Sequence, residues 1–177
     1  MKKATASTAM LLCLGLIVAS HLETQVLDGE RIFVVDSVYF DIHGYLQEKI
    51  TAFKNVLSSQ CSSIEYLEET SPDFASSLNA VQQFSPPDSS TARITQLARD
   101  GEWLWAEVSF EKLEPVVLLL KHTPQGLKIW DGAIWSGPTH PWRVKNSIEK
   151  YLKTKSPLPS HRLLECVNPS AGVFANQ

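Results

Sequence analysis

Residues 92–135 decide the fold. They open as ARITQLARDGEWLWAEVSF (92–110) and, after a short connection, continue as VVLLLKHTPQGLKIWDGAIW (116–135). The stretch reads as four β-strands folded back and forth. In its first half, Asp100-Gly101 supplies the two positive-φ positions of a type I′ hairpin turn, whose twist matches the flanking strands. That turn would pair Arg99 with Glu102, Leu97 with Leu104 and Gln96 with Trp105. Side chains alternate faces along a strand. One face would then carry Leu97, Leu104, Ala106, Val108 and Phe110, and the other Ile94, Trp103, Trp105 and Glu107. In the second half, Thr123-Pro124-Gln125-Gly126 is a turn between two further strands, residues 116–122 and 127–135. The apolar run Val116-Val117-Leu118-Leu119-Leu120 suits a central strand covered on both faces. Pro115 and Pro124 leave too little length for a buried helix.

Helical signals flank this block. Asp41 is placed to cap a first helix reaching about Ser59, with Ile42, Leu46, Ile50, Phe53 and Leu57 as its apolar stripe. Ser71-Pro72-Asp73 opens a second helix: Ser caps it, Pro takes its first position and Asp favours its dipole. Phe74, Leu78, Val81 and Gln82 carry that helix to about Gln83. Residues 85–90 are a linker. After the strands, residues 136–141 form a turn that launches a last helix, with Pro141 at its first position and Thr139 or His140 as the cap. Val144, Ile148, Tyr151 and Leu152 would be its buried stripe, and Pro157 and Pro159 stop it. Residues 21–30 read as polar and loose. Residues 31–39 are compatible with either a strand or a helix entry.

The expected architecture is α+β: N-terminal helices, a four-stranded antiparallel meander and a C-terminal helix in one domain, residues 21–177. The order resembles the cystatin-like and nuclear-transport-factor-like arrangements. It is a likeness of topology that no motif accompanies, and topology does not give function.

Residues 1–20 read as a secretory signal peptide. Lys2 and Lys3 form the charged start, residues 9–18 the apolar stretch, and Val18-Ala19-Ser20 the cleavage region. The apolar run is short for a membrane span, so stable insertion is not expected. Cys13 is no lipoprotein signal, because Leu12 stands where a small residue is needed. Export places the chain in a periplasmic or secreted, oxidising compartment. The two remaining cysteines, Cys61 and Cys166, are then expected to pair. Closing a loop of that length is worth roughly 4–5 kcal/mol in the chain-entropy model. No spacing suits a metal site, and no cofactor motif is present.

The formal charge is −3, and losing Lys2 and Lys3 takes it to −5, which argues against a nucleic-acid partner. His122, Asp131 and His140, with Glu107, are the candidates for acid–base chemistry. Each has a plainer reading as a solvated turn or strand residue, and no nucleophile motif accompanies them. The five tryptophans all fall between Trp103 and Trp142. Trp103 and Trp105 share a strand face and are either core beneath the first helix or exposed interface aromatics, and Trp130 and Trp135 fall on opposite faces by parity. The last helix is basic, through Arg143, Lys145, Lys150, Lys153 and Lys155; its final lysines also suit the helix dipole.

Two functions fit these features. The first is an exported, non-enzymatic module that binds another protein of the same compartment: an inhibitor, an immunity protein or an assembly accessory. The second is a small-molecule-binding or hydrolytic domain with a cavity between sheet and helices. The first is preferred, with Trp135, His140, Trp142 and Arg143 as the recognition surface, since Trp and Arg dominate interface hot spots and Gly137, Pro138 and Pro141 stiffen the loop that carries them. The leader reading is checked by N-terminal sequencing of the exported protein. It should begin at or near His21, and an intact Met1 on a membrane-bound form would contradict it.

Overall fold

A computed structural model of the chain describes residues 21–27, 30–140, 142–170 and 174. The expected leader and Pro141 lie outside the described residues. The chain divides into two compact units, one ending at Leu46 and the other starting at Gln47.

The N-terminal unit holds a three-stranded antiparallel sheet: β1 (Leu22–Leu27), β2 (Glu30–Val35) and β3 (Val38–Phe40), in that order. On β2, Ile32 and Val34 are buried and their neighbours are not, the alternation of a half-buried strand. Asp36 and Ser37 turn β2 into β3 with both residues at positive φ, 47° and 67°. Asp tolerates this region better than most residues, because its short polar side chain can bond locally. Residues 22–27 are thus a strand, not the loose segment expected. Nearly every β1 side chain is exposed, so β1 shows no apolar alternation, and backbone pairing to β2 is what orders it.

Helix α1 (Ile42–Ser58) starts in this unit and continues into the next. Asp41 caps it as expected: its Oδ1 accepts a hydrogen bond from the Gly44 amide at 2.7 Å.

The C-terminal unit is built on a five-stranded antiparallel sheet in chain order: β4 (Glu65–Tyr66), β5 (Arg93–Asp100), β6 (Trp103–Ser109), β7 (Val116–Thr123) and β8 (Gly126–Ser136). The four expected strands are joined by a fifth, β4, which pairs with Arg99 and Ala98. Between β5 and β6 the turn falls one residue later than the Asp-Gly pattern suggested. Asp100 pairs with Trp103, and Gly101-Glu102 forms the loop with Gly101 at φ 60°. That is a loop with glycine first, as type II′ turns require. The slip moves each partner by two residues, so the faces survive: Leu97 lies opposite Ala106 and Ala98 opposite Trp105. Ile94 is the exception. A bulge between Ile94 and Gln96 brings it onto the Leu97 face, opposite Val108.

A larger irregularity interrupts the pairing of β7 and β8. Leu118 pairs with Ile134 and Leu120 with Ile129, so Leu119 faces four residues of β8, among them Gly132 at φ 78°. The three extra residues invert the parity. Trp130 and Trp135 therefore lie on the same face rather than on opposite ones. Trp130 packs edge-on against Trp103 at 5.1 Å, and Trp135 belongs to the core beneath.

Helices cover both faces of this sheet. On one face, Ile94, Leu97, Leu104, Ala106, Val108, Leu118 and Leu120 meet Val81, Phe74 and Leu78 of α2 (Pro72–Gln82). Ser71 caps α2 by accepting from the Phe74 amide at 3.1 Å. On the other face, Trp103, Trp105, Val117, Leu119 and Trp135 meet α3 (Val144–Lys155) through Ile148 and Leu152, and α4 (His161–Cys166) through Leu163 and Leu164. The layering is helix–sheet–helix, not a sheet wrapped round one helix. Helix α3 starts at Val144, with Arg143 as its N-cap; Trp142 and Arg143 therefore precede it, and Tyr151 is exposed, not part of the buried stripe.

The C-terminal segment completes the second layer. Val167 and Phe174 are buried, and Phe174 meets Trp135 edge-on at 5.5 Å. Cys61 and Cys166 are bridged, with Cα atoms 5.5 Å apart. The bridge ties α4 to the turn that follows α1. Thiol labelling of denatured, unreduced protein should find neither cysteine free, and two labelled thiols would contradict the bridge. Cys61→Ser should lower unfolding stability by about 2–5 kcal/mol in denaturant titrations.

Candidate binding groove

The four candidates for acid–base chemistry are not brought together. His122 lies on the α2 side of the sheet, where its Nε2 is 3.2 Å from Asp73 Oδ1. Asp73 also accepts from Arg99 Nη1 at 2.7 Å, and Arg99 Nη2 donates to Glu65 at 2.6 Å. The bond to Glu65, helped by that to Asp73, raises the Arg99 pKa against the effect of burial. The chain Glu65–Arg99–Asp73–His122 therefore ties β4, β5, α2 and β7 together. Glu107 sits on the opposite face and is fully buried. Its carboxylate accepts from the Thr95 hydroxyl at 2.6 Å and from the Ser170 amide at 2.7 Å. Asp131 and His140 are exposed. Among the described residues, no cluster of His, Cys, Asp and Glu could hold a metal ion.

The expected recognition surface is divided. Trp135 is buried against Phe174, with 8% of its surface exposed. His140, Trp142 and Arg143 lie together ahead of α3, where the Trp142 amide donates to the Thr139 carbonyl at 2.7 Å. Trp142 is half-buried and Arg143 exposed. Both line a groove of about 880 Å³. Glu48, Lys49, Ala52, Asn55 and Val56 of α1 line it as well. The bridged Cys61 and Cys166, with Asn168 and Pro169, complete its lining.

Hydrogen bonds hold the walls in place. Arg143 Nε donates to Glu48 Oε2 at 2.6 Å across the groove. Lys145 Nζ donates to the Glu165 carbonyl at 2.7 Å and to Asn168 Oδ1 at 2.9 Å. Asn55 Nδ2 reaches the same Glu165 carbonyl at 3.3 Å. Burial lowers the Lys145 pKa below the ordinary lysine value, because its charge has lost much of its water. Lys153, two turns further along α3, goes the other way. Burial opposes its charge too, but hydrogen bonds to Glu149 and Glu165 outweigh it and raise its pKa.

The feature that sequence reasoning missed is on α1. The apolar stripe expected on this helix is uncovered: in the C-terminal unit, Ile50, Phe53 and Leu57 are 54%, 65% and 70% exposed, and Val56, which the stripe did not include, is 79% exposed. An apolar stripe has the same spacing whether a core or a partner covers it, so no sequence signal separates the two. The groove was equally hidden, because its walls come from segments about a hundred residues apart in sequence. The cysteine pair was the one signal that joined them.

No family model, curated protein or solved structure matches this chain. Among the described residues, no helix is long and apolar enough to cross a membrane.

Lysine titrations followed by NMR after ¹³C-methylation would check the electrostatics of the groove. The Lys145 resonance should titrate below the ordinary lysine value, and the Lys153 resonance above it. Titration of Lys145 at the ordinary lysine value would contradict its burial.

Proposed function

We propose that this chain is an exported, non-enzymatic module that binds another protein, using the outer face of α1 and the adjoining groove. The observation that carries this reading is the row Ile50, Phe53, Val56 and Leu57, which leaves four large apolar side chains of one helix in water. Apolar patches of this kind on a folded surface mark interaction sites. Covering each side chain would contribute on the order of 1.5–3 kcal/mol before ordering costs. Val56 also lines the groove, so the helix face continues into it toward Trp142 and Arg143. His140 widens the patch beside Trp142. The disulfide fixes the end of α1 against α4, so this surface is shaped before a partner arrives, which limits the entropy lost on binding. The disulfide and the leader-like first residues favour an oxidising, exported location.

The small-molecule or hydrolytic alternative needs room between sheet and helices. Trp105, Leu104, Leu119 and Leu120 fill that space, each 1% exposed or less. The groove lies outside it.

Phe53→Ser and Trp142→Ala test the reading in the mature, disulfide-bonded protein. The natural partner would first be captured by crosslinking in the exported fraction, identified by mass spectrometry, and its affinity then measured by calorimetry. Both variants should keep the wild-type melting temperature and weaken binding by about 2 kcal/mol or more. If either variant instead loses several kcal/mol of folding stability, that side chain is core and the surface is assigned wrongly.

A further inference from the structure

We infer that the Cys61–Cys166 bridge is a redox switch for the binding surface: reducing it releases α1, and the apolar row with it, while the sheet and its two covers stay folded. The inference rests on the protein-binding reading and concerns how that same surface is controlled.

Helix α1 is weakly held by packing. From Gln47 on, its half-buried residues include Glu48, Thr51 and Asn55, which share one helical face and are all polar. Its large apolar residues face water, and no α1 residue belongs to either buried cluster. Arg143 bonds Glu48 at 2.6 Å, and Asn55 reaches the Glu165 carbonyl at 3.3 Å. Water competes for such groups, so these bonds add little to the hold. The covalent tie is the bridge, just past the end of the helix.

The two ends of the bridge are anchored differently. Cys166 is followed by Val167, which is buried in the same core as Leu163 and Leu164, so this end stays in place without the bridge. On the other side the chain is next fixed at Ser63, which bonds Asp100 at 3.3 Å, and at Ile64, which packs against that core. Breaking the bridge therefore frees the segment before Ser63 and leaves the later chain where it is. Once unsupported, the 17 residues of α1 make a marginal helix, since Gly44, Thr51, Asn55 and Val56 have low helix propensity.

The bridge is open to attack. Both cysteines are only half-buried and line the groove, and thiol–disulfide exchange depends on access to a sulfur. One thiolate of a dithiol reductant attacks a bridge sulfur, and the other sulfur leaves as a thiolate. The second thiol of the reductant then resolves the mixed disulfide. Two electrons and two protons pass to the protein, which ends with two thiols, and the reductant ends as a disulfide. A disulfide oxidant runs the exchange backward and restores the surface.

The test is hydrogen exchange read by mass spectrometry on the mature protein, before and after dithiothreitol and without denaturant. Reduction should speed exchange in residues 47–58 by about tenfold or more and leave residues 93–123 unchanged, and reoxidation should restore the first pattern. Unchanged exchange in α1 overturns the inference. So does an equal loss of protection in α1 and the sheet, or a bridge that dithiothreitol leaves intact until the protein unfolds. The double variant Cys61→Ser, Cys166→Ser reaches the unbridged state without reagent. It should bind the partner identified by crosslinking about tenfold or more weakly than the bridged protein does. If α1 stays ordered in that variant while Phe53→Ser still weakens partner binding, the switch is wrong and the protein-binding reading survives. If α1 is released and partner binding is unchanged, the surface on α1 is assigned wrongly and both readings fall.

Discussion

A strand that is apolar on both faces has to be covered twice. In β7, Val117 and Leu119 point to one side of the sheet and Leu118 and Leu120 to the other, and all four are essentially inaccessible to water. Burying four such side chains is worth several kcal/mol, on the order of 1.5–3 each, so neither face can be left open. Helix α2 supplies one cover. Helices α3 and α4, with Val167 and Phe174, supply the other. Once both faces are filled, the sheet offers no apolar surface for α1, and no α1 residue belongs to either buried cluster. The uncovered helix stripe follows from how the sheet is satisfied.

The second cover is assembled from the last part of the chain, and polar contacts place it. Asp100, nearly buried at the β5–β6 turn, is held by Arg162 of α4 and by Ser63. The bond to Asp100 also raises the Arg162 pKa, with burial opposing it. Glu107, fully buried near the other end of β6, is satisfied by the Thr95 hydroxyl and by the Ser170 amide. Buried carboxylates left without partners would cost several kcal/mol, so each pins the segment that solvates it. The disulfide adds a covalent tie between these two and the end of α1. The groove is the seam where α1, the start of α3 and this tied-down tail meet.

Most of this fold was legible in residues 92–135, because strand alternation and turn chemistry are local. The faces of β5 and β6 were right even though the turn slipped from Asp100-Gly101 to Gly101-Glu102, since a shift of two residues preserves parity. Bulges were not legible: Ile94 changed face and Trp130 joined Trp135 because irregularities between Ile94 and Gln96 and around Gly132 broke the alternation on which the reading depended. Strand β1 was hidden because no face of it is buried, and β4 because two residues carry no periodicity. Of the expected surface, His140, Trp142 and Arg143 stayed together, while Trp135 went to the core for want of any local feature distinguishing a buried indole from an exposed one. The α1 stripe was found, but its direction was not, because direction is decided by what the sheet has left to cover.

The account turns on α1 presenting its apolar side chains to water in the isolated protein. Hydroxyl-radical footprinting with mass spectrometry reads this directly, side chain by side chain. Phe53 and Leu57 should be oxidised at the rates of exposed residues once intrinsic reactivity is taken into account, while Trp105 and Leu119 stay protected. Protection of Phe53 and Leu57 to the level of Trp105 would mean that the stripe is covered within the protein itself, and would contradict the account.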